Sequence, residues 1–302
     1  MLALLAPGQG SQTPGMLAAW LELPGAAERL ATWSEISGLD LTTLGTTATA
    51  DEITDTAVTQ PLVVAATLLA YEELTRRGLL AGKDITVAGH SVCEIAAYAI
   101  AGVISADDAV KLAATRGAEM AKACALEPTG MAAVLGGEEP EVLGRLEALD
   151  LVPANRNAAG QIVAAGALAA LEKLTEDPPE KARVRKLATA GAFHTQFMAS
   201  AMEGYSAAAD GVATGEPTAT LLSNADGKPV ASAADAMTKL ISQLTRPVRW
   251  DLCTETMRTN NVTAIVEFPP AGTLAGIAKR ELRGVPTHAV KSPADLDGLA
   301  GL

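Results

Sequence analysis

The sequence predicts an α/β fold in which helices cover a buried parallel sheet and a smaller α+β unit is inserted. Three observations predict it. First, an apolar run at Ile85–Ala88 is broken by Gly89, carries Ser91 on the turn, and passes from Glu94 into an Ala-rich helical stretch. Second, apolar residues make up 49% of the chain but aromatics only 3%, so the core is mostly Ala, Val, Leu and Ile. Such a core suits helices packed on a two-sided parallel sheet. Third, a β-α-β-β-α-β order between Met131 and Leu187 interrupts a strand–helix alternation that resumes after it.

The 302 residues can fill one large domain or two smaller ones. A formal net charge of −12 argues against general nucleic-acid binding but leaves room for a local basic patch. Cys93, Cys124 and Cys253 form no C-x-x-C pair and no His/Cys metal cluster. A sparse, odd count suits a reducing compartment. The N-terminus lacks the charged region and the length of a signal segment, and no apolar stretch reaches membrane-span length. A cytoplasmic protein with no membrane partner, acting as a monomer, is expected.

Along the chain, Leu2–Ala6 reads as a first strand ended by Pro7-Gly8. Gly8-Gln9-Gly10-Ser11-Gln12 is a Gly-rich loop, but Thr13 stands where a dinucleotide fingerprint needs its third glycine. It is either a tight turn or a backbone that must approach a reacting group closely. Short helices are expected at Pro24–Ser37 and Asp51–Ile53. A long one is expected from Gln60-Pro61, with proline at the first helical position, to Arg77. The Ile85–Ala88 strand and its helix follow, then a helix from Asp107 to Cys124 capped by Ser105. Met131–Leu135, Val152–Asn155, Gln161–Ala164 and Val184–Leu187 read as strands, with helices at Glu139–Leu149 and Leu168–Glu176. This is the order of a ferredoxin-like unit. Boundaries of 128–188 are expected for this small subdomain, with 1–127 and 189–302 forming the large domain. Helices are then expected at Met198–Ala213, Ala233–Leu244, after Trp250 and at Gly272–Arg280, and strands at Ala219–Ser223 and Ala264–Phe268.

The strand–turn–helix around Ser91 has the form of the nucleophile elbow of hydrolase-like α/β folds. Its pattern G-x-S-x-G is broken at the last position by Cys93. A serine nucleophile needs a base, an oxyanion hole and something to hold the acyl group. Only three histidines are available. His90 adjoins the serine, so its ring should turn away from it and line the pocket. His288 lies in an apparent edge strand. His194, in Gly191-Ala192-Phe193-His194, remains as the candidate base. On the residues alone, Arg116 reads as an ordinary cation on a helix surface.

Several segments occur in a telling order: Pro7–Gln12, Gln60-Pro61, Gly89-His90-Ser91-Val92, Arg116-Gly117, Asn155–Gly166, Gly191–His194, Pro247-Val248-Arg249-Trp250 and the Pro269–Gly272 turn. Together they resemble the malonyl-CoA:acyl carrier protein transacylases of bacterial fatty acid synthesis, of actinobacterial and in particular mycobacterial type. The resemblance runs from Leu2 to about Lys291. It implies Ser91 as nucleophile and His194 as general base, with the backbone amides of Gln9 and Val92 as the oxyanion hole. It implies Arg116 as the partner of the free malonyl carboxylate, and Asn155 and Asn157 as cleft residues. Phe193 would fill the space that a branching methyl on the substrate needs. A main-chain carbonyl of the Pro-Val-x-Trp segment, assigned to Arg249, would orient the imidazole in place of an aspartate. The implied substrates are malonyl-CoA and phosphopantetheinylated acyl carrier protein, with no bound cofactor and no metal.

The alternatives are a discrete polyketide-type acyltransferase, a serine thioesterase or other hydrolase, a Ser–Asp lipase using Asp226, and a carrier-protein-binding module impaired by Cys93. A side chain at position 93 should overpack the elbow, so Cys93→Gly is expected to raise stability and activity. Carrier-protein docking is expected on cations at Lys173, Lys181, Arg183, Arg185 and Lys186, and at Lys279, Arg280 and Arg283.

Overall fold

A computed structural model describes residues 1–302. Ten strands form two sheets. They are β1 (Leu2–Ala6), β2 (Ile85–Gly89), β3 (Thr129–Gly136), β4 (Val152–Ala158), β5 (Gln161–Ala167), β6 (Ala182–Lys186), β7 (Thr220–Leu222), β8 (Val248–Arg249), β9 (Ala264–Glu267) and β10 (Thr287–Ala289). The helices are α1 (Ala26–Ser37), α2 (Leu41–Thr46), α3 (Thr56–Arg76), α4 (Glu94–Ile100), α5 (Ala106–Cys124), α6 (Glu139–Ala148), α7 (Leu168–Glu176), α8 (Met202–Asp210), α9 (Ala233–Ser242), α10 (Trp250–Thr259) and α11 (Thr273–Glu281).

The first sheet has the order β10-β9-β1-β2-β7 and every pair in it is parallel. Its central strands are buried on both faces, which is why β1 reads as an unbroken apolar run. The second sheet has the order β6-β3-β5-β4-β8. Its four strands from β3 to β6 are antiparallel in the ferredoxin-like arrangement, with α6 and α7 closing a core of their own around Val134, Leu146, Ile162 and Leu171. The fold class is therefore α/β, a hydrolase-like parallel sheet with an added α+β subdomain. The fifth strand of the second sheet, β8, comes from residues 248–249 and pairs in parallel with Asn155 and Arg156. That segment joins the two sheets.

Three elements differ from the sequence expectations. The long helix starts at Thr56, not at Pro61. Asp55 caps it by accepting the Ala57 N–H at 2.8 Å, and Pro61 lies inside, one turn further on. The cap sets the start, because the proline only removes one internal hydrogen bond. The stretch expected as one helix at Met198–Ala213 is a 3-10 segment, Gln196–Ala201, followed by α8. The helix expected to reach Leu244 tightens after Ser242 into a 3-10 turn over Gln243–Thr245. Four residues beyond Gln243 stands Pro247, which has no N–H to offer the Gln243 carbonyl, so the α-helical ladder cannot continue there.

Candidate active site

β1 and β2 are neighbours, with Ala6 opposite Gly89, so their C-terminal loops emerge side by side. The His90 N–H donates to the Ala6 carbonyl at 2.9 Å. A Cβ on Gly8 would lie 2.8 Å from the His90 carbonyl oxygen, which is why the first loop needs glycine there. The Gln9 N–H has no acceptor within the chain and remains available as a donor. Ser91 has a φ of 52°, a left-handed conformation that costs energy for a non-glycine residue and is typical of held functional positions. A 3-10 turn over Ser91–Cys93 then opens α4.

Cys93 is where the sequence departs from the elbow pattern. The crowding falls on Gly89, where a Cβ would meet the Cys93 carbonyl oxygen at 1.9 Å. Cys93 itself has ordinary right-handed backbone angles, φ −78° and ψ 4°. Its side chain is fully buried in the main core, near Thr67 of α3. Burial pushes the thiol up to about 12, so it is a packed apolar group rather than a thiolate.

The base comes from the loop after β6. Nε2 of His194 lies 2.7 Å from Ser91 Oγ, and Nδ1 lies 2.8 Å from the Gln243 carbonyl. A carbonyl only accepts, so Nδ1 carries the proton and Nε2 is left bare to take one from Ser91. His194 is 2% exposed and, like Ser91, left-handed, with φ 61°. Burial, then the Arg116 charge, lower its pKa to about 3, so the imidazole is neutral at any ordinary pH.

The orienting carbonyl is that of Gln243 and not of Arg249. The 3-10 turn before Pro247 leaves the Gln243 carbonyl without an α-helical partner, and His194 uses it. Arg249 instead donates its N–H to the Asn224 carbonyl at 2.8 Å and pairs its side chain with Asp251 at 2.7 Å. No carboxylate meets the imidazole. Asp226, the acid of the lipase alternative, pairs with Lys239 at 3.4 Å.

Arg116, on α5, is 1% exposed rather than on the surface. One terminal nitrogen donates to Gln60 Oε1 at 2.8 Å and the other to Gln243 Oε1 at 2.9 Å. Nε is buried without any partner. No carboxylate forms a hydrogen bond or ion pair with this guanidinium, so a buried cation is held ready by two neutral amides. Such an arrangement has the chemistry to receive an anionic group. No group of His, Cys, Asp and Glu side chains converges in a way that could hold a metal ion.

The geometry suits covalent acyl transfer: a serine hydrogen-bonded to a neutral imidazole at the head of a helix, with a buried cation close to both through Gln243. Comparison with known proteins agrees. The family model "Acyl transferase domain" matches residues 4–294. The chain belongs to the acyl transferase family. The acyltransferase is 81% identical over 288 residues to the malonyl CoA-acyl carrier protein transacylase of Mycolicibacterium smegmatis, covering 94% of this chain and 99% of that one. It is 76% identical over 302 residues to the Mycobacterium tuberculosis protein of the same name, covering all of both. The crystal structure of MCAT from Mycobacterium tuberculosis superposes with a TM-score of 0.98 over 99% of each chain, at 76% identity.

Other residues expected at the site fall around this acyltransferase centre. The His90 ring turns away from Ser91 and meets Asn157 Oδ1 through Nε2 at 2.9 Å, against the Trp250 ring. Asn155 and Asn157 are buried on β4, the strand that faces β8. Phe193 is 5% exposed in the main core beside His194.

Sequence reasoning missed four residues that hold the acyltransferase centre together. Asn224 follows β7, the strand beside β2. Its Oδ1 accepts the Ser91 N–H at 2.8 Å and its Nδ2 donates to the Gly89 carbonyl at 2.7 Å. Gln243 binds Ser91, His194 and Arg116 at once. Glu94 accepts from both Asn224 and Gln243. Gln60, whose dipeptide with Pro61 is one of the ordered motifs, has its side chain on Arg116. For Gln243 a signal existed in Pro247, four residues on. For Asn224 and Glu94 none did, because their partners are distant in sequence or on the main chain.

Proposed function

We propose that this acyltransferase moves a malonyl group from malonyl-CoA to the phosphopantetheine thiol of acyl carrier protein, supplying fatty acid elongation. The observation that carries the reading is the buried Arg116, fixed by two glutamine oxygens with Nε unpartnered. A guanidinium so placed favours an acyl group that ends in a carboxylate and disfavours a neutral chain. Ser91 Oγ attacks the thioester carbonyl as His194 Nε2 takes its proton. The tetrahedral oxyanion is held by the amides of Gln9 and Val92, and the coenzyme A thiolate leaves with that proton. The carrier thiol then enters, gives its proton to His194 and takes the malonyl group, and His194 returns that proton to the departing Ser91 Oγ. Phe193 limits the space beside the acyl chain, and His90, Asn155 and Asn157 line the cleft. No bound cofactor takes part.

Three free cysteines suit a reducing cytoplasm, and a monomer suffices because every group in this scheme comes from one chain. Residues 128–188 are proposed as the inserted subdomain. An acidic carrier docks on Lys173, Lys181, Arg183, Arg185 and Lys186, exposed on α7 and along edge strand β6, and on Lys279, Arg280 and Arg283 around α11. Charge reversal in both clusters is expected to raise KM for the carrier about tenfold with little change in single-turnover malonylation of Ser91. An unchanged KM places docking elsewhere.

Radiolabelled malonyl-CoA tests the whole reading. The acyltransferase should hold label stably until holo carrier protein is added, and then lose it to the carrier. Release of free malonate would indicate a hydrolase, and no uptake a binding module.

A further inference from the structure

Glu94 is the first residue of α4, three positions past the nucleophile, and is completely buried. One carboxylate oxygen accepts the Asn224 N–H at 2.6 Å and the other accepts from Gln243 Nε2 at 2.5 Å. Those two partners grip the Ser91 peptide from both sides. Asn224 Oδ1 accepts its N–H at 2.8 Å, and Gln243 Nε2 reaches its carbonyl at 3.1 Å. The far end of the same Gln243 amide, Oε1, accepts from Arg116 at 2.9 Å.

We propose that Glu94 is a positioning residue whose ionised carboxylate couples the acyl-carboxylate pocket at Arg116 to the nucleophile through the side-chain amide of Gln243. The inference rests on the malonyl-transfer reading above. An ionised carboxylate only accepts hydrogen bonds, so it compels Gln243 to turn its NH2 inward and its oxygen toward Arg116. If one atom of residue 94 becomes a donor, it faces either the Asn224 N–H or the Gln243 NH2. Rotation of the Gln243 amide relieves the second conflict, but then presents an NH2 group to the guanidinium. Arg116 thereby loses one of its two fixing acceptors and the elbow loses a tether.

The surroundings leave this ionisation to Glu94 alone. The other titratable groups around it are Arg116 on α5, Tyr98 on α4, Tyr205 on α8 and Cys253 on α10. Arg116 stays a cation, and burial raises both tyrosines and the cysteine, which therefore stay neutral. His194 remains neutral throughout. Burial, opposed by the Asn224 and Gln243 hydrogen bonds, pushes Glu94 up to about 7. Glu94 is therefore protonated below that pH and ionised above it, so the coupling is present on the alkaline side and is lost as pH falls.

The test is the ratio of kcat/KM for malonyl-CoA to that for acetyl-CoA, measured as single-turnover acylation of Ser91 across pH 7 in wild type and Glu94→Gln. The ratio cancels titration of the coenzyme A phosphates. In wild type it should fall about tenfold from above to below neutrality, by the size usual for directly coupled residues. In Glu94→Gln it should be low and independent of pH. A flat wild-type ratio overturns the proposal even if the variant fails to fold. So does a Glu94→Gln enzyme that keeps the wild-type ratio and its pH dependence. Failure of the wild type to acylate from malonyl-CoA at all would instead remove the malonyl-transfer reading.

Discussion

Ser91 and His194 share one unusual property and are held in opposite ways. Both have a left-handed backbone, with φ 52° and 61°, in a chain with only five such non-glycine residues. The turn that carries Ser91 is built locally, with β2 behind it, α4 ahead and Gly89 admitting the Cys93 carbonyl in between, and Asn224 and Gln243 then tether its backbone. His194 sits in a loop and is aimed by the Gln243 carbonyl, 49 residues away, on a turn that exists because Pro247 follows. The left-handed turn at Ser91 is built by local backbone chemistry and only tethered by the remote glutamine, whereas the aim of His194 and of Arg116 comes from that glutamine.

The largest effect should come from removing the locally held member. Ser91→Ala is expected to abolish acyl-enzyme formation and lower kcat by roughly 10⁴-fold or more, with an unchanged melting temperature. The check is rapid-quench acylation alongside calorimetry. Label retained in this variant would move the nucleophile to another residue.

Next comes the remotely held cation. Arg116→Ala should lower kcat/KM for malonyl-CoA by about two to three orders of magnitude while acetyl-CoA is affected far less, because only the malonyl carboxylate is left buried without a partner. Competition kinetics with both thioesters read this directly, and an unchanged preference would detach Arg116 from substrate selection.

The same contrast decides what was legible in the sequence. The elbow, the parallel sheet and the ferredoxin-like order are local patterns of apolar runs and breakers, so Ile85–Ala88, Gly89 and Ser91 could be read in place. His194 emerged because two other histidines had better explanations. The orienting carbonyl belongs to Gln243 and not to Arg249, a difference the sequence hides because a main-chain oxygen has no side-chain signature. Only the absent N–H of Pro247 marks Gln243. The start of α3 is hidden for a related reason: proline at a first helical position is a common signal, and the Asp55 cap one turn earlier outweighs it. Asn224 and Glu94 were invisible because their importance lies in contacts 130 residues apart.

The smallest effect sharpens the local half of the comparison. Cys93→Gly removes a sulfur packed in the main core and adds backbone freedom. It should lower stability by about 1–2 kcal/mol with kcat nearly unchanged. Urea denaturation measures the first quantity and steady-state transfer the second. A stabilised variant would restore the view that the elbow is overpacked.

The central claim is that one serine, a neutral buried histidine and a buried guanidinium together select and hold a malonyl group. The most direct measurement offers the wild-type protein equal malonyl-CoA and acetyl-CoA without any carrier, then determines the intact mass and maps the modified peptide. The account predicts a malonyl adduct on Ser91 in large excess over acetyl. Equal acetylation, an adduct on another residue, or no adduct would contradict it.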